Sequence, residues 1–339
     1  MSELTVELSG SYREQGRQHG EALAAIIEEV ADETLAKRDL DTEQTRCVTG
    51  LLEENFQRLA PGTLEEMRGI SEGSGVPYEK LFAYNCCAAI FAADDYCSAV
   101  GWADTPDGPI IGKTNDIGQN KAKYHHPFRR RSGDGLAAVW ATWPGTVWSN
   151  CFVNEAGLAY GGASLNMHAR NEAGIDMNCL LRVLTDRCTS IDEMLDLSDR
   201  VPIMHSPQHN IMCDERGKQI AVEHTPEGCH VCQGPGEPFV RGTNHFCPGP
   251  FEERDTSAPE MLQNSRDRFA NLGRLSESLS HNVDNMLRVV QDHSEAGQIC
   301  QHGNAEMWSS TAYVAIASQR CILIGRGQPC EAEFFELSL

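Results

Sequence analysis

One cysteine lies where the chain changes character. Cys97 follows Tyr96 and two aspartates, Asp94 and Asp95, at the junction between a mostly helical stretch and the first run with the alternation of a β-strand. Aspartate is rarely buried without a partner, so this acidic pair does not fit the interior of a strand. A cut between Tyr96 and Cys97 would place a cysteine at a new N-terminus.

A cysteine at a chain terminus carries both a nucleophile and a base. A free α-amino group titrates near roughly 7.7–8.0 and a thiol near about 8.5, so the amino group can accept the thiol's proton close to neutral pH. The resulting thiolate can attack the carbonyl carbon of an amide. On the local pattern alone, Cys97 is better interpreted as a small buried apolar residue, one of fourteen cysteines in the chain.

Six short motifs along the chain change that interpretation. They are GSYREQGRQHG at residues 10–20, DYC at 95–97, TND at 114–116, FVNEAGLA at 152–159, IAVE at 220–223 and GTNH at 242–245. In their order and spacing the chain resembles the penicillin acyltransferase-like cysteine peptidases, the acyl-CoA:6-aminopenicillanate acyltransferase family of N-terminal nucleophile (Ntn) hydrolases. The resemblance extends from about residue 8 to about residue 337.

The resemblance implies a fold and a processing event. The fold class is α+β, a four-layer αββα sandwich of two antiparallel sheets flanked by helices. The precursor is expected to cut itself between Tyr96 and Cys97. Residues 1–96 would then form a helical α subunit, residues 97–339 a catalytic β subunit, and the two fragments would stay associated as one compact fold.

The implied activity is that of an amidohydrolase that attacks a linear carbon–nitrogen amide bond of a small N-acyl or aminoacyl amide through a thioester acyl-enzyme. One alternative is an acyltransferase that moves an acyl group from a CoA thioester or an amide to an amine. A second alternative is an unprocessed, non-catalytic binding or scaffold protein. No cofactor is expected, and a homo-oligomer is compatible with all three.

The resemblance also assigns roles to three residues. Cys97 is the nucleophile, and Asn244 of the GTNH motif is expected to donate an amide N–H to the oxyanion of the tetrahedral intermediate. Asp116 is expected to hold the new ammonium group or to orient the thiol. On the residues alone, Asn244 can equally be a turn residue after a strand over 239–243, and Asp116 a strand-end acid that caps a turn.

The chain departs from the fungal penicillin enzymes at three positions. Tyr96 stands before the cut where those enzymes have glycine, Ala99 where they have a hydroxyl residue, and Trp308 where they have an arginine for the substrate's carboxylate. An indole cannot replace a guanidinium that grips a carboxylate, so a penam acid is a poor substrate. The substrate pocket is expected to include Ser98, Trp308, Ser309 and Thr311.

The composition disfavours several classes of binding partner. The chain of 339 residues has 28 Lys and Arg against 49 Asp and Glu, a formal net charge of −21, which disfavours nucleic acid and anionic membranes. No run reaches the roughly 18 apolar residues of a membrane span, and the start lacks signal-peptide features. The sequence therefore predicts a cytoplasmic protein with reduced thiols.

Two further features have competing interpretations. Residues 121–131 form a basic island that could steer an anionic acyl donor or could be a solvated loop that offsets local acidity. Cys229 and Cys232 have C-x-x-C spacing but lack a second ligand pair for zinc. His205 and His209 would complete a metal site only through tertiary proximity, so no metal is expected.

The elements that must position these residues follow from periodicity. Helices are predicted over residues 14–37, 46–59, 63–72, 175–187, 191–200, 259–275 and 283–292. Strands are predicted over 98–103, 109–115, 136–143, 147–153, 158–165, 209–213, 218–224, 311–318 and 320–325. The strands from 98 to 165 read as one antiparallel meander, within stacked sheets covered by helices.

Overall fold

The computed structural model describes residues 5–91, 96–303 and 307–339. Its helices are α1 (Tyr12–Leu35), α2 (Glu43–Leu59), α3 (Pro61–Ser74), α4 (Tyr78–Asn85), α5 (Cys87–Phe91), α6 (Met177–Arg187), α7 (Ile191–Arg200), α8 (Pro259–Ser278) and α9 (Val283–Val290). Its strands are β1 (Val6–Leu8), β2 (Tyr96–Trp102), β3 (Ile110–Asp116), β4 (His126–Arg130), β5 (Ala138–Thr142), β6 (Cys151–Asn154), β7 (Ala159–Ser164), β8 (Gln208–Cys213), β9 (Gln219–Thr225), β10 (Gly228–Gln233), β11 (Val240–Gly242), β12 (Ser309–Ile316), β13 (Cys321–Arg326) and β14 (Phe334–Ser338). All the predicted helices and strands correspond to elements in this set.

Two sheets lie at the centre of the molecule. An eight-stranded sheet has the order β1-β4-β5-β6-β7-β8-β9-β10, and a six-stranded sheet has the order β11-β2-β3-β12-β13-β14. The prediction of one meander from residue 98 to 165 is wrong, because the β2–β3 hairpin belongs to the second sheet and β5 to β7 to the first. The missed strand β1 also pairs with β4 in parallel, within sheets that are otherwise antiparallel.

The alternation of side chains along each strand builds the layers. In β5, Trp140 packs into the core shared with α1 to α7, whereas Val139 and Ala141 pack between the two sheets. On the outer face of the six-stranded sheet, Val100 and Trp102 pack against α8 and α9. The layers are therefore helices, sheet, sheet, helices, which confirms the predicted four-layer αββα fold.

The first motif owes its glycines to a close helix contact. A Cβ on Gly16 of α1 would lie 2.0 Å from the carbonyl oxygen of Glu66, and one on Gly69 of α3 would lie 2.1 Å from that of Arg13. Both distances are far below van der Waals contact, so only glycine lets α1 and α3 pack at this distance. Ser11 begins α1 with a capping box to Glu14.

A buried charge network joins the N-terminal helices to the remainder of the fold. The Arg182 Nη2 atom donates to Glu66 Oε1 at 3.1 Å, and Arg130 Nη2 donates to Asp186 Oδ1 at 2.7 Å. Gln15 of α1 accepts from both guanidinium groups. Burial raises the pKa of Glu66 to about 6, although Arg182 opposes the shift. Residues before and after Cys97 thus share one set of buried ions.

Among the helices of the described residues, none is both long and apolar enough to cross a membrane.

We expect Glu66→Ala to destabilise the fold strongly, because it removes one partner of a buried ion pair and leaves the Arg182 charge undercompensated. Breaking a buried pair in this way typically costs about 3–5 kcal/mol in the free energy of unfolding. Urea denaturation of the variant, in a Cys97→Ala chain that cannot carry the expected cut, measures the loss.

Glu21→Ala in the same background is the matched control, because the Arg17–Glu21 pair of α1 is exposed on both sides. An exposed pair contributes at most about 1 kcal/mol. Equal losses for the two variants would contradict a special role for the buried network.

Candidate active site

The register of the first hairpin decides what surrounds Cys97. Cys97 lies opposite Asn115 in the β2–β3 ladder, and Tyr96 lies opposite Asp116. Directly opposite residues of an antiparallel pair project to the same face of the sheet. Cys97 and Asn115 therefore share the face toward the eight-stranded sheet, and Asp116 lies on the face toward α8. The preceding Asp94 and Asp95 lie outside the described residues.

Asn115 is the strand residue that contacts the thiol. The Cys97 Sγ atom donates to Asn115 Oδ1 at 3.4 Å, and Cys97 is only 6 % exposed. Sequence reasoning recognised the TND motif but assigned the contact to Asp116. Asn115 and Asp116 are neighbours in β3, so they project to opposite faces of the sheet. Which of them shares the face of Cys97 depends on the register between β2 and β3, and that register depends on the length of the hairpin turn.

The backbone of Cys97 is held by two side chains distant in sequence. Its N–H donates to Asn244 Oδ1 at 2.9 Å, and its carbonyl oxygen accepts from Arg268 Nη1 at 2.6 Å. Arg268 Nη2 also donates to Asn244 Oδ1, at 2.9 Å. Because two donors converge on that atom, the amide oxygen of Asn244 faces Cys97. Its Nδ2 donates to the Ser164 carbonyl oxygen at 2.8 Å.

The end of a short strand explains the position of Asn244. The ladder between β11 and β2 ends where Gly242 lies opposite Ala99. Asn244 follows Gly242 by two residues, and Cys97 precedes Ala99 by two. At this position the Asn244 side chain, instead of a backbone carbonyl, accepts a hydrogen bond from the Cys97 N–H. The resemblance assigned an amide N–H of Asn244 to the oxyanion, a role that stays a prediction, and the structure places the amide oxygen of Asn244 against the Cys97 N–H.

Arg268 was missed by the sequence analysis. It lies in α8, is fully buried and donates to Ser98 Oγ at 2.8 Å as well as to Cys97. Burial lowers the pKa of its guanidinium, and the nearby Asp116 opposes that shift. The sequence does place this arginine on the sheet-facing side of a predicted helix. An arginine in such a position is usually interpreted as a side chain that extends past the core to water, so the pattern did not indicate a site residue.

Asp116 is buried beside Arg268 on the face away from the thiol. It accepts a hydrogen bond from Ser309 Oγ, and Ser309 lies opposite it in the β3–β12 ladder. Burial raises the pKa of Asp116 to about 6, although the Arg268 guanidinium and the Ser309 hydroxyl oppose the shift. Asp116 therefore lies on the opposite face of the hairpin from Cys97 Sγ.

A cavity opens on the thiol's side of the hairpin. Its free volume is about 50 Å³. Its lining includes Cys97, Lys113, Asn115, Ile117, His125, Trp143, Trp148, Asn150, Tyr160, Ser164, Asn178, Leu181 and Gln208. Lys113, also missed from the sequence, is buried on the same face as Asn115, and its Nζ donates to the Asn150 carbonyl oxygen at 2.9 Å. The cavity therefore combines aromatic walls with one buried cation beside the thiol.

The residues predicted to form the pocket lie elsewhere. Ser98 and Ser309 are on the α8 side of the sheet, where they contact Arg268 and Asp116. Thr311 lies opposite Asn115 on β12, and Trp308 packs near His302 with ring centroids 5.5 Å apart. None of the four is among the residues that line the cavity.

The basic island is ion-paired. Lys123 Nζ lies 2.7 Å from Glu29 and Lys121 Nζ lies 3.5 Å from Glu33, both acids of α1. Arg129 pairs with Glu7 at 2.9 Å. These contacts favour the interpretation in which the island offsets local acidity.

Comparison with known proteins gives one family and several fold likenesses. A family model described as acyl-coenzyme A:6-aminopenicillanic acid acyl-transferase matches residues 104–321. No curated protein matches the chain. Penicillin V acylase from Agrobacterium tumefaciens is 12% identical, with a TM-score of 0.46 over 72% of this chain and 86% of that one. The N-acylethanolamine-hydrolyzing acid amidase ortholog of Caenorhabditis elegans is 10% identical, with a TM-score of 0.47 over 72% of this chain and 100% of that one.

We expect Asp116 to make stability depend on pH. Its folded pKa of about 6 lies above the ordinary value, so the folded state holds this proton more tightly. The stabilisation is complete below about pH 4 and is lost as the pH rises through about 6, a change of up to about 3 kcal/mol. Asp116→Asn removes this component, so its stability relative to the parent should rise between pH 4 and 7.

Urea denaturation across that pH range in the Cys97→Ala chain measures the difference, and other titrating groups cancel between the two proteins. Asp199→Asn, at an exposed position of α7, is the control. A constant difference between parent and Asp116→Asn at every pH would contradict the assignment.

Proposed function

This chain belongs to the acyl-coenzyme A:6-aminopenicillanic acid acyl-transferase family, whose model spans residues 104–321, and from that premise we propose that it is a self-processing amidohydrolase with Cys97 as its N-terminal nucleophile. It is an Ntn-type cysteine amidohydrolase or acyltransferase that acts on carbon–nitrogen amide bonds. The matched residues include Asn115, Asn244 and Arg268, and each of these contacts Cys97.

The observation that carries the proposal is the pair of acceptors around Cys97. Its backbone nitrogen has a side-chain acceptor in Asn244, and its thiol has one in Asn115, at the wall of a cavity. A thiol that served only as a buried apolar group would not need the Asn115 acceptor. After a cut before Cys97, the Asn244 oxygen would hold the new amino group beside the thiol.

Self-processing consumes one water molecule. The amide between Tyr96 and Cys97 breaks, the Tyr96 carbonyl carbon gains the water oxygen as a carboxylate, and the Cys97 nitrogen takes both hydrogens of the water and becomes an α-ammonium group. Asp116 lies opposite Tyr96 in the ladder, and its carboxyl group interacts with Arg268, which supports a role for it at the bond to be cut. We propose that Asp116 acts in this step and then balances the charge of the new terminus.

In each turnover, the α-amine of Cys97 takes the proton of its own thiol, and Sγ attacks the carbonyl carbon of the substrate amide. The carbon–nitrogen bond breaks, and the leaving amine carries away the proton. Water then attacks the thioester on Cys97, which releases a carboxylic acid and restores the thiol. If an amine attacks instead of water, the same thioester gives acyl transfer.

Two groups are placed to stabilise the developing negative charge. The Lys113 ammonium lies in the cavity wall on the same face as the thiol, where a low dielectric strengthens its interaction with an anion. The Asn244 amide group lies at the other side of Cys97. We propose Lys113 as the cation that favours the thiolate. The oxygen of Asn244 faces Cys97, so we propose its Nδ2 group, which also donates to the Ser164 carbonyl oxygen, as the donor to the oxyanion.

The walls of the cavity indicate the substrate class. Trp143, Trp148 and Tyr160 supply aromatic surface next to the thiol. Such walls suit an apolar acyl group or an aminoacyl group of modest size. We therefore propose a small linear N-acyl or aminoacyl amide, with an acyl-CoA as the alternative acyl donor.

The two fragments are expected to remain associated after the cut. In the precursor, β1 pairs with β4 across the cut, and Asn85 donates to the Gly145 carbonyl oxygen and accepts from the Val147 N–H. These contacts are buried with the core that α1 to α7 share with the eight-stranded sheet. Residues 1–96 would therefore serve as a structural α subunit for residues 97–339.

Mass spectrometry of the purified chain tests the self-cut. The wild type should give two masses, for residues 1–96 and 97–339, that elute together in native gel filtration. Cys97→Ala should stay intact at 37.3 kDa. Cys47→Ala, which removes an exposed thiol, should be cut like the wild type.

An intact wild type after prolonged incubation would contradict self-processing. It would favour a non-catalytic binding or scaffold protein, in which the bulky Tyr96 blocks the cut.

A screen of N-acyl amides and thioesters with cleaved protein tests the catalytic roles. Lys113→Met and Asn244→Ala should each lower kcat by about 10²–10³, the range found when one oxyanion donor is removed. Rates are compared per mole of cleaved protein, so that a defect in processing is separated from a defect in turnover. Asn120→Ala, at an exposed site, is the matched control.

Peptide mapping of the trapped thioester should locate the acyl group on Cys97. An active enzyme with its adduct on another residue would overturn the assignment.

A further inference from the structure

Four side chains from two loops converge outside the active site. His293, Cys300 and His302 lie between α9 and β12, and Cys330 lies between β13 and β14. One ligand atom from each side chain lies within 4.8 Å of all the others. We propose that these four residues bind a structural zinc ion that clamps the two loops together.

The distances around His302 fit a shared ion. Its Nε2 atom lies 3.7 Å from Cys300 Sγ, 3.5 Å from Cys330 Sγ and 2.8 Å from His293 Nε2. With Zn–N near 2.1 Å and Zn–S near 2.3 Å, a tetrahedral site separates nitrogen from sulfur by about 3.6 Å and nitrogen from nitrogen by about 3.4 Å. The two nitrogen–sulfur distances match this geometry, and a small rotation of the exposed His293 ring supplies the third.

The donor set selects the metal. Two thiolates and two imidazoles in tetrahedral arrangement are typical of zinc, whereas magnesium and calcium prefer oxygen ligands. Four protein ligands fill the coordination sphere and leave no position for a water nucleophile, so the ion has a structural role. On binding, Cys300 and Cys330 each release one proton to the solvent.

The four residues range from buried to exposed. Cys300 is buried, Cys330 is half-buried, and His293 and His302 reach the surface. The cluster is therefore anchored in the fold on one side and open to an entering ion on the other. The Nε2 atoms of His293 and His302 lie 2.8 Å apart, so without an ion one ring must donate a hydrogen bond and the other must accept it. A bound ion would instead accept a lone pair from each of the two nitrogens.

The site is connected to the residues beside Cys97. Between the two ligands Cys300 and His302, the Gln301 N–H donates to Ser309 Oγ at 2.7 Å, and Ser309 Oγ in turn donates to Asp116. Gln328, close to Cys330, donates to the Gln301 carbonyl oxygen at 3.0 Å. An ion on Cys300 and His302 would thus hold the segment that orients Ser309 toward Asp116.

A second group of possible ligands offers a comparison. His209, Cys232 and Cys247 also lie close together, with 3.2 Å between Cys232 Sγ and His209 Nε2 and 4.0 Å between Cys247 Sγ and the same nitrogen. This group has three members rather than four. It also shows that His209 joins only Cys232 of the C-x-x-C pair, so Cys229 is not part of it. We assign the zinc to the four-residue cluster.

Metal analysis of the full chain tests the site. Wild-type protein expressed with zinc and purified under reducing conditions should hold about one zinc per chain. Cobalt(II) in its place should show the thiolate charge-transfer and ligand-field bands of a tetrahedral S₂N₂ site. Zinc added to chelator-treated protein should raise Tm.

Variants locate the ion. Cys330→Ser and His293→Asn, which alter a half-buried and an exposed residue, should each lower zinc affinity by at least about tenfold while the far-UV circular dichroism stays unchanged. Cys232→Ser, in the comparison group, should keep the wild-type zinc content. Cys97→Ala should also keep it, because the site does not rest on the proposed function.

Three results would overturn the proposal. The first is a zinc-free wild type whose Tm zinc does not raise and whose cobalt form lacks the thiolate bands. The second is zinc that Cys232→Ser loses and Cys330→Ser retains. The third is a Cys300–Cys330 disulfide in protein purified without reductant and kept from air, seen as the loss of two hydrogens in the intact mass.

Discussion

The geometry of the candidate active site depends on one buried guanidinium, that of Arg268. Arg268 reaches from α8 through the outer layer and donates to the Cys97 carbonyl oxygen, the Ser98 hydroxyl and the Asn244 side-chain oxygen. A buried cation is tolerated only when acceptors surround it, and here those acceptors are the first residues of β2 and the loop after β11. The need to satisfy Arg268 therefore fixes the beginning of β2, and with it the position of Cys97, to within hydrogen-bond distance.

The β2–β3 hairpin keeps the Asp116–Arg268 pair and the Cys97 thiol on its two opposite faces. On the α8 face, Asp116 and Arg268 lie close together and burial raises the Asp116 pKa. The thiol lies on the other face, among Asn115, Lys113 and aromatic walls. A peptide bond in β2 passes between them, because backbone atoms lie in the plane of the sheet and are reached from both sides. In the proposed function, this arrangement would let one strand serve a step at the Tyr96–Cys97 bond and a separate step at a substrate amide.

The sequence predicts the elements better than their assembly. Amphipathic helices and alternating strands carry local signals, so α1, α8 and the β8–β9 hairpin could be predicted. The division into two sheets could not be predicted, because the β2–β3 hairpin and the β5–β7 strands have the same alternation. What separates them is the long-range pairing of the hairpin with β11 and β12.

For the candidate site, the order of the motifs predicted that Cys97 and Asn244 act together. Asn115 was missed because its parity depends on register, and Arg268 and Lys113 because buried cations carry no periodic signal of their own.

The cavity also explains why the helical segment before Cys97 must stay after any cut. Trp148 forms part of the cavity wall, yet its indole N–H donates to the Asn85 carbonyl oxygen at 2.8 Å, and its ring packs 5.9 Å from that of Tyr84. The turn before it is held by Asn85 through Val147 and by His19, whose Nε2 accepts from the Gly145 N–H at 2.9 Å. Burial lowers the pKa of His19 to about 3, so the ring stays neutral and keeps this acceptor at any pH near neutrality. Loss of residues 1–96 would leave a buried indole and several backbone donors without partners at the substrate's side of the thiol, and each such orphan costs about 1–3 kcal/mol. Residues on both sides of the expected cut therefore shape the cavity beside Cys97.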